Sequence, residues 1–401
     1  MTTTTGEIIL KPGREKPVRN RHPWIFSGAI QQVRGKPKTG DIVEVLDKNG
    51  RFLARAYYNP HSQIRARILT WTSNEPIDPT FWEHRIKQAI TARQLLALEP
   101  ATTAYRLIHA EADGLPGLIV DKYANYLVIQ CLTAGIDRYK QTIIEILANL
   151  LHPTGIIERS DVDVRRKEGL EPVSSIVWGN KPPELFVVQE NGFLMQANLL
   201  TGHKTGLYLD QRENRTAVCQ PHHVSHKEIL NVFAYTGGFA LYAAAHHPTT
   251  IVNLDSSATA LQEAHQNLQL NNLHRPQDEY ITGDAFEILR YYRDTNRQFD
   301  MVILDPPKFA HTQRDIERAC RGYKDLNWLA FRILRPGGLL ATFSCSGLIS
   351  ADLFQKVVFG ALVDAGREAQ IIQTLGQASD HPISLTFPES AYLKGLLCRV
   401  W

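Results

Sequence analysis

The sequence predicts an α/β protein in which a parallel sheet flanked by helices fills the C-terminal half, preceded by a small β-barrel and a central α+β segment. Three observations predict it. From residue 187 onward, nearly continuous apolar strands alternate with helical patterns, as in a parallel sheet buried on both faces. Residues 1–72 instead hold short alternating runs cut by Gly and Pro turns, the pattern of a small barrel. Residues 81–186 mix helices and strands without regular alternation and contain no catalytic constellation.

In the first segment, "GDIVEVLDKNGRFLARAYYNPHSQIRARIL" places several strands around the turns "DKNG" and "YNPHS". The polar, Pro-containing "TWTSNEPIDPT" (70–80) reads as a linker. The central segment opens with "FWEHRIKQAITARQLLAL" (81–98), whose apolar spacing is helical. Strands follow around a Gly- and Pro-containing turn, then the helix "RYKQTIIEILANLL" and the strand "TGIIERS". In the third segment the strands are "EILNVFAY", "TIVNLD", "EYITGD", "FDMVILD", "LLATFSC" and "GLLCRV". The helices between them are "GGFALYAAAHH", "SATALQEAHQNLQLNN", "AFEILRYYRDT" and "RDIERACRGYKDLNWLAFRIL".

The chain has 401 residues, enough for two or three domains, and 43% are hydrophobic, enough for real cores. The start, "MTTTTGEIIL", lacks the basic and apolar regions of a signal peptide, and no apolar run is long enough to span a bilayer. Five cysteines (Cys131, Cys219, Cys320, Cys345, Cys398) are scattered and include no C-x-x-C pair, which points to a reducing cytosol rather than to disulfides or zinc. Fifteen histidines show no metal-ligand spacing either, so a soluble, cytoplasmic protein without a metal is expected.

Net charge is only +3, but the charge is unevenly placed. Lys11, Arg14, Lys16, Arg19, Arg21, Arg34, Lys36 and Lys38 face a single acid, Glu15, within one stretch. Arg51, Arg55, Arg65 and Arg67 follow, interleaved with Trp24, Phe26, Tyr57 and Tyr58. Clustered cations screen phosphate repulsion and aromatic faces stack on bases, which suits RNA; a solvated basic face is the plain alternative.

Three motifs carry chemistry. "NVFAYTGGFALYAAA" (231–245) is a strand, a Gly turn and a helix; Gly237 and Gly238 permit the tight turn and let a ligand approach the helix start. It is not G-x-G-x-x-G, so the dinucleotide fingerprint is not met. Asp255 ends the second strand and Asp284 follows the third, placed as carboxylates that accept hydrogen bonds from an adenosine-type ligand. "FDMVILDPPKFA" (299–310) ends a strand on Asp305, held forward by two prolines that stiffen the loop. "LLATFSCSGL" (339–348) ends the next strand on Ser344-Cys345-Ser346.

Together with "GLYLDQRENR" (206–215), "ACRGYKDLN" (319–327) and the tail "YLKGLLCRVW", these motifs carry a resemblance that runs the length of the chain. Residues 187–401 resemble a Rossmann-like class I S-adenosylmethionine-dependent methyltransferase, and the barrel resembles an RNA-binding PUA domain. The whole is similar to the RlmI family of 23S rRNA cytosine carbon-5 methyltransferases. The resemblance implies S-adenosyl-L-methionine as cofactor and large-subunit rRNA as partner, with no membrane. It places the methionine part of the cofactor at Ala234, Tyr235, Thr236 and Gly237, its ribose at Asp255, and its adenine beside Asp284 and Ala285. Asp210 and Arg212 would close the pocket, and Asp305, Pro306 and Pro307 would face the target base, with Pro306 also on the cofactor side.

The thiol has a chemical rationale. Carbon 5 of cytosine is a poor nucleophile until a thiolate adds to carbon 6. In a class I sheet the strands bearing Asp305 and Cys345 are neighbours, so Cys345 is expected as the nucleophile, Asp305 as its partner at the ring, and Lys308 as nearby charge. A lone cysteine more often fills a core, and Cys320 is a weaker candidate. Two rivals stay open: a guanine N-methyltransferase, which needs no thiol, and a non-catalytic RNA-binding assembly factor.

Overall fold

The computed structural model describes residues 4–401. The chain forms two compact units. The first runs to Gly192 and adds Ala197–Leu209 and Ser379–Ser390; the second comprises Phe193–Gln196, Asp210–Ala378 and Ala391–Trp401.

The first unit begins with a six-stranded sheet built from β1 (Gly6–Leu10), β2 (Trp24–Phe26), β3 (Ile30–Gly35), β4 (Ile42–Leu46), β5 (Phe52–Tyr58) and β6 (Ile64–Thr70), with the short helix α1 (Lys16–Arg19) after β1. The strand order is β2-β6-β5-β4-β1-β3, and only the β1–β4 pair is parallel. Both predicted turns form for local reasons. Asp47 Oδ1 accepts the backbone N–H groups of Asn49 (2.9 Å) and Arg51 (3.0 Å) in "DKNG", and Asn59 Oδ1 accepts that of His61 (2.9 Å) in "YNPHS".

A five-stranded sheet follows in the same unit. Helix α2 (Pro79–Gln94), capped by the Asp78 carboxylate on the Phe81 N–H, precedes β7 (Ala104–His109), β8 (Leu118–Tyr123) and β9 (Tyr126–Cys131). Helix α3 (Ala134–Leu151) crosses from β9 to its parallel neighbour β10 (Gly155–Ser160). The short α4 (Val164–Lys167), β11 (Val173–Gly179) and β12 (Phe186–Glu190) complete the run. The segments expected as separate at 1–72 and 81–186 share one core, in which Tyr57 and Leu69 pack with Trp82, Ile108 and Ile129.

The second unit starts with β13 (Phe193–Ala197), α5 (Arg212–Val218) and α6 (Pro221–Val224). Its sheet comprises β14 (Glu228–Val232), β15 (Thr250–Asp255), β16 (Glu279–Thr282), β17 (Phe299–Leu304), β18 (Leu334–Ser344), β19 (Ala369–Gly376) and β20 (Lys394–Val400). The intervening helices are α7 (Gly238–Ala244), α8 (Ala258–Leu270), α9 (Ala285–Asp294), α10 (Ile316–Ile333) and α11 (Ala351–Ala365). Strand order is β16-β15-β14-β17-β18-β20-β19, parallel as far as β18, with β20 antiparallel to both of its neighbours. The predicted parallel strands are all present. Helix α11 and edge strand β19 are additions to the predicted set. No described helix is long and apolar enough to cross a membrane.

Candidate active site

The order of this sheet reverses at β14, whose flanking neighbours are β15 and β17. Ligands of open parallel sheets bind beyond the carboxyl ends of the strands at such a point. Of the expected cofactor residues, Ala234, Tyr235, Thr236, Gly237, Asp255, Asp284 and Ala285 lie there, at and just beyond the ends of β14, β15 and β16, whereas Pro306 follows β17 and Asp210 and Arg212 precede β14.

Strand β14 ends at Val232, three residues before the end predicted from "EILNVFAY", because the backbone then turns left-handed. Phe233 (φ 61°), Tyr235 (φ 48°) and Gly237 (φ 78°) all have positive φ. Two of the three carry side chains, a conformation that persists only when neighbours hold it. The holding groups are visible. Asp255 Oδ2 accepts the Tyr235 N–H at 2.8 Å, Ala234 N–H donates to Leu254 O at 3.0 Å, and Asn267 Nδ2 donates to Thr236 O at 2.9 Å. Glycine at 237 is required twice, since a Cβ there would lie 2.7 Å from the Ala264 Cβ.

Asp255 Oδ1 accepts the Ser257 N–H at 2.9 Å, and the Gly283 N–H donates to Asp255 O at 3.0 Å. Asp284 Oδ1 caps α9 through the N–H groups of Phe286 (2.8 Å) and Glu287 (3.1 Å), and Ala285 is the buried first residue of that helix. A strained turn with its backbone held open, flanked by carboxylates at the next two strand ends, suits a ligand with an ammonium-bearing end and a hydroxylated sugar. Asp210 and Arg212 are both buried just before and at the start of α5; Tyr392 Oη donates to Asp210 Oδ2 at 2.7 Å.

On the other side of β14 the loops after β17 and β18 stand together. Leu304 pairs with Thr342, so Asp305 follows β17 level with Phe343, and Cys345 stands two residues further along the neighbouring strand. The Asp305 N–H reaches Val232 O at 3.5 Å, its side chain is half-buried, Pro306 is buried, and Pro307 and Lys308 are exposed. Cys345 is a half-buried thiol outside any disulfide, between Ser344 and Ser346, both fully buried. A central hydroxyl joins the two loops. Ser346 Oγ accepts the Ala310 N–H at 3.4 Å and lies 3.1 Å from Tyr323 Oη on α10. The Tyr323 ring packs on Phe309 of the Asp-Pro-Pro loop at 4.7 Å. Burial pushes the Tyr323 hydroxyl's pKa up, so it remains a neutral donor.

The other cysteines differ. Cys131, Cys219 and Cys398 are buried, and burial raises all three thiols, Cys398 to about 12. Cys320 is half-buried on α10, and desolvation raises its thiol as well.

Several charged and aromatic side chains are committed within the fold, and for Arg67 and Tyr57 this corrects the RNA-facing expectation. Tyr323 is 1% exposed inside α10, where it serves the cysteine loop, while Lys324 pairs with Asp364 at 2.7 Å. In the charged stretch 161–170, Arg165 is buried and bonds Asp137 Oδ1 at 2.9 Å. In the first sheet, Arg67 is buried in a two-bond pair with Glu168 (2.9 and 3.1 Å), and Tyr57 donates to Pro116 O at 2.8 Å within the core. The first basic cluster is different, because all eight of its Lys and Arg side chains are exposed. Beside it, Arg14, His22, Trp24 and Phe26 line a cavity of about 400 Å³. Sequence reasoning passed over Asn267 and Lys394. Asn267 is a polar residue on the buried stripe of α8, a signal that was available.

The family model of a PUA-like domain matches residues 8–71, and that of an S-adenosylmethionine-dependent methyltransferase matches residues 159–399. The chain is 50% identical over 395 residues to the ribosomal RNA large subunit methyltransferase I of Shewanella frigidimarina, covering 98% of this chain and 99% of that one. It is 47% identical over 396 residues to the protein of that name from Aliivibrio fischeri, at 99% and 100% coverage. Among solved structures, a Streptococcus mutans chain described as a SAM-dependent methyltransferase shares the fold at a TM-score of 0.85 and 20% identity, over 98% of this chain and 99% of that one. SMU.776, a methyltransferase solved with SAH, has a TM-score of 0.86 at the same identity and coverage.

Proposed function

The chain belongs to the ribosomal RNA large subunit methyltransferase I family of S-adenosylmethionine-dependent methyltransferases, and we propose that it methylates carbon 5 of a cytosine in large-subunit rRNA through a covalent bond to Cys345. The observation that carries this reading is the joining of the Asp305 and Cys345 loops at the ends of adjacent strands.

S-adenosylmethionine, when bound, supplies an electrophilic methyl group on a sulfonium sulfur. The turn at Ala234–Gly237, together with Asp255, Asp284 and Ala285, would hold it; Asp210, Arg212 and Pro306 would close around it. Asp305 would orient the pyrimidine by hydrogen bonding, and the two prolines keep that carboxylate from swinging away. The Cys345 thiolate forms a bond to carbon 6, and the electron pair of the carbon 5–carbon 6 double bond becomes available at carbon 5. Carbon 5 would then be nucleophilic enough to accept the methyl group that the bound cofactor supplies. A base then removes the carbon 5 proton, the double bond re-forms, and the thiolate is expelled. The exposed cations of the first sheet would hold the RNA backbone.

The test is nucleoside mass spectrometry on unmodified large-subunit rRNA incubated with the protein and methyl-labelled S-adenosylmethionine. Labelled 5-methylcytosine is expected, and Cys345→Ala should lower turnover by at least about a thousandfold while cofactor binding persists. Labelled methylguanosine would instead place the chemistry on a nitrogen and return Cys345 to a packing role. Loss of cofactor binding in the unaltered protein would favour a non-catalytic assembly factor.

A further inference from the structure

Lys394 opens β20, and the antiparallel register sets it directly opposite Ser344, one residue before the thiol. Its side chain turns into the loop beyond β18. Nζ donates to Ser346 O at 2.7 Å and to Ile349 O at 2.6 Å, the two residues that the turn hydrogen bond Ile349 N–H to Ser346 O (3.0 Å) closes on each other. The neighbouring Gly395 makes this approach possible, since a Cβ there would lie 2.4 Å from the Phe343 ring. The ionisable groups facing the ammonium are Cys345 and Lys308, with Tyr323 of α10 directed at the same loop.

A lysine is an expensive residue for this place. Desolvation acts against its charge, and the exposed Lys308 acts in the same direction; only ionised Cys345 favours it, and the balance leaves the ammonium at about 8. Two carbonyls alone would be satisfied by an uncharged amide. What the amide lacks is a positive charge on the loop that carries the sulfur.

We propose that Lys394 is a positioning residue for Cys345, anchoring the thiol's loop through two carbonyl groups and supplying the positive charge that stabilises the sulfur anion. The proposal rests on the reading of Cys345 as nucleophile. The interaction is mutual: a thiolate that favours the ammonium is favoured by it to the same degree. It also implies that the thiolate expelled at the end of the reaction leaves into a site already holding its counter-charge.

The test reads the thiol itself. Alkylation of Cys345 by iodoacetamide is followed by peptide mass spectrometry across pH in the full chain, beside turnover on unmodified rRNA and the melting temperature. In the unaltered protein the alkylation midpoint is expected below the value of about 8.5 for a free cysteine; a midpoint at or above it overturns the proposal. Lys394→Gln, which keeps an amide donor but removes the charge, should slow alkylation near neutral pH and kcat by about tenfold, with KM for RNA unchanged. Lys394→Arg should restore most of both. An unchanged alkylation profile in Lys394→Gln, with activity falling only as melting temperature falls, reduces Lys394 to packing. Full turnover in Cys345→Ala would overturn the nucleophile reading instead, and the alkylation profile would still decide whether Lys394 stabilises the sulfur anion.

Discussion

The turn after β14 and the loop after β18 both end parallel strands on the same side of one sheet, yet they are held in different ways. The turn is fixed by its own backbone, with three positive φ angles in five residues, and by a carboxylate from the adjacent strand. The cysteine loop has ordinary backbone and is fixed by side chains from distant sequence, Tyr323 on α10 and Lys394 on β20. A site that must offer backbone to a ligand is built by bending the chain into conformations its neighbours enforce. One that must hold a reactive group in place is built by bringing side chains in.

Substitutions should separate the two constructions. Gly237→Val places a branched side chain at φ 78° and against Ala264, and should cost about 2–4 kcal/mol of stability along with most cofactor affinity, read by calorimetric titration with S-adenosylmethionine. Asp255→Ala leaves the Tyr235 and Ser257 N–H groups without their acceptor. About 1–2 kcal/mol and a weaker cofactor dissociation constant are expected, with alkylation of Cys345 unchanged. Tyr323→Phe removes one hydroxyl from Ser346 and should cost about 1 kcal/mol. Its mark is the reverse: normal cofactor binding and a several-fold fall in kcat. If Asp255→Ala altered thiol reactivity as much as Tyr323→Phe did, the two loops would be one mechanical element and the contrast would fail.

The same contrast explains what could be read beforehand. Parallel strands β14, β15, β17 and β18 are largely apolar and buried and are bounded by helices, so composition marks them, while the edge strand β16 has no buried residue. The glycine turn and Asp-Pro-Pro are local motifs, legible as short words. Strand β19 is not, because most of "AQIIQTLG" is exposed and its two isoleucines face solvent rather than core. Helix α11 has its cap, Ser350 on the Leu353 N–H, but it lies outside the helical runs read from the sequence. Tyr323 and Lys394 stand 22 and 49 residues from Cys345, a proximity that no spacing rule expresses. Tyr57 and Arg67 were drawn into the basic, aromatic pattern because type alone does not distinguish a solvated arginine from one buried against Glu168.

Strand β20 is made after β19 but lies inside it, between β18 and the edge. As the chain leaves the ribosome, the growing sheet therefore stops at β18, and β19 has no strand to pair with until β20 arrives. The final insertion covers the open edge and brings Lys394 to the cysteine loop in one event. The Lys394 anchor is thus made after the Tyr323 one, and a chain short of β20 carries Cys345 on a loop held from one side only.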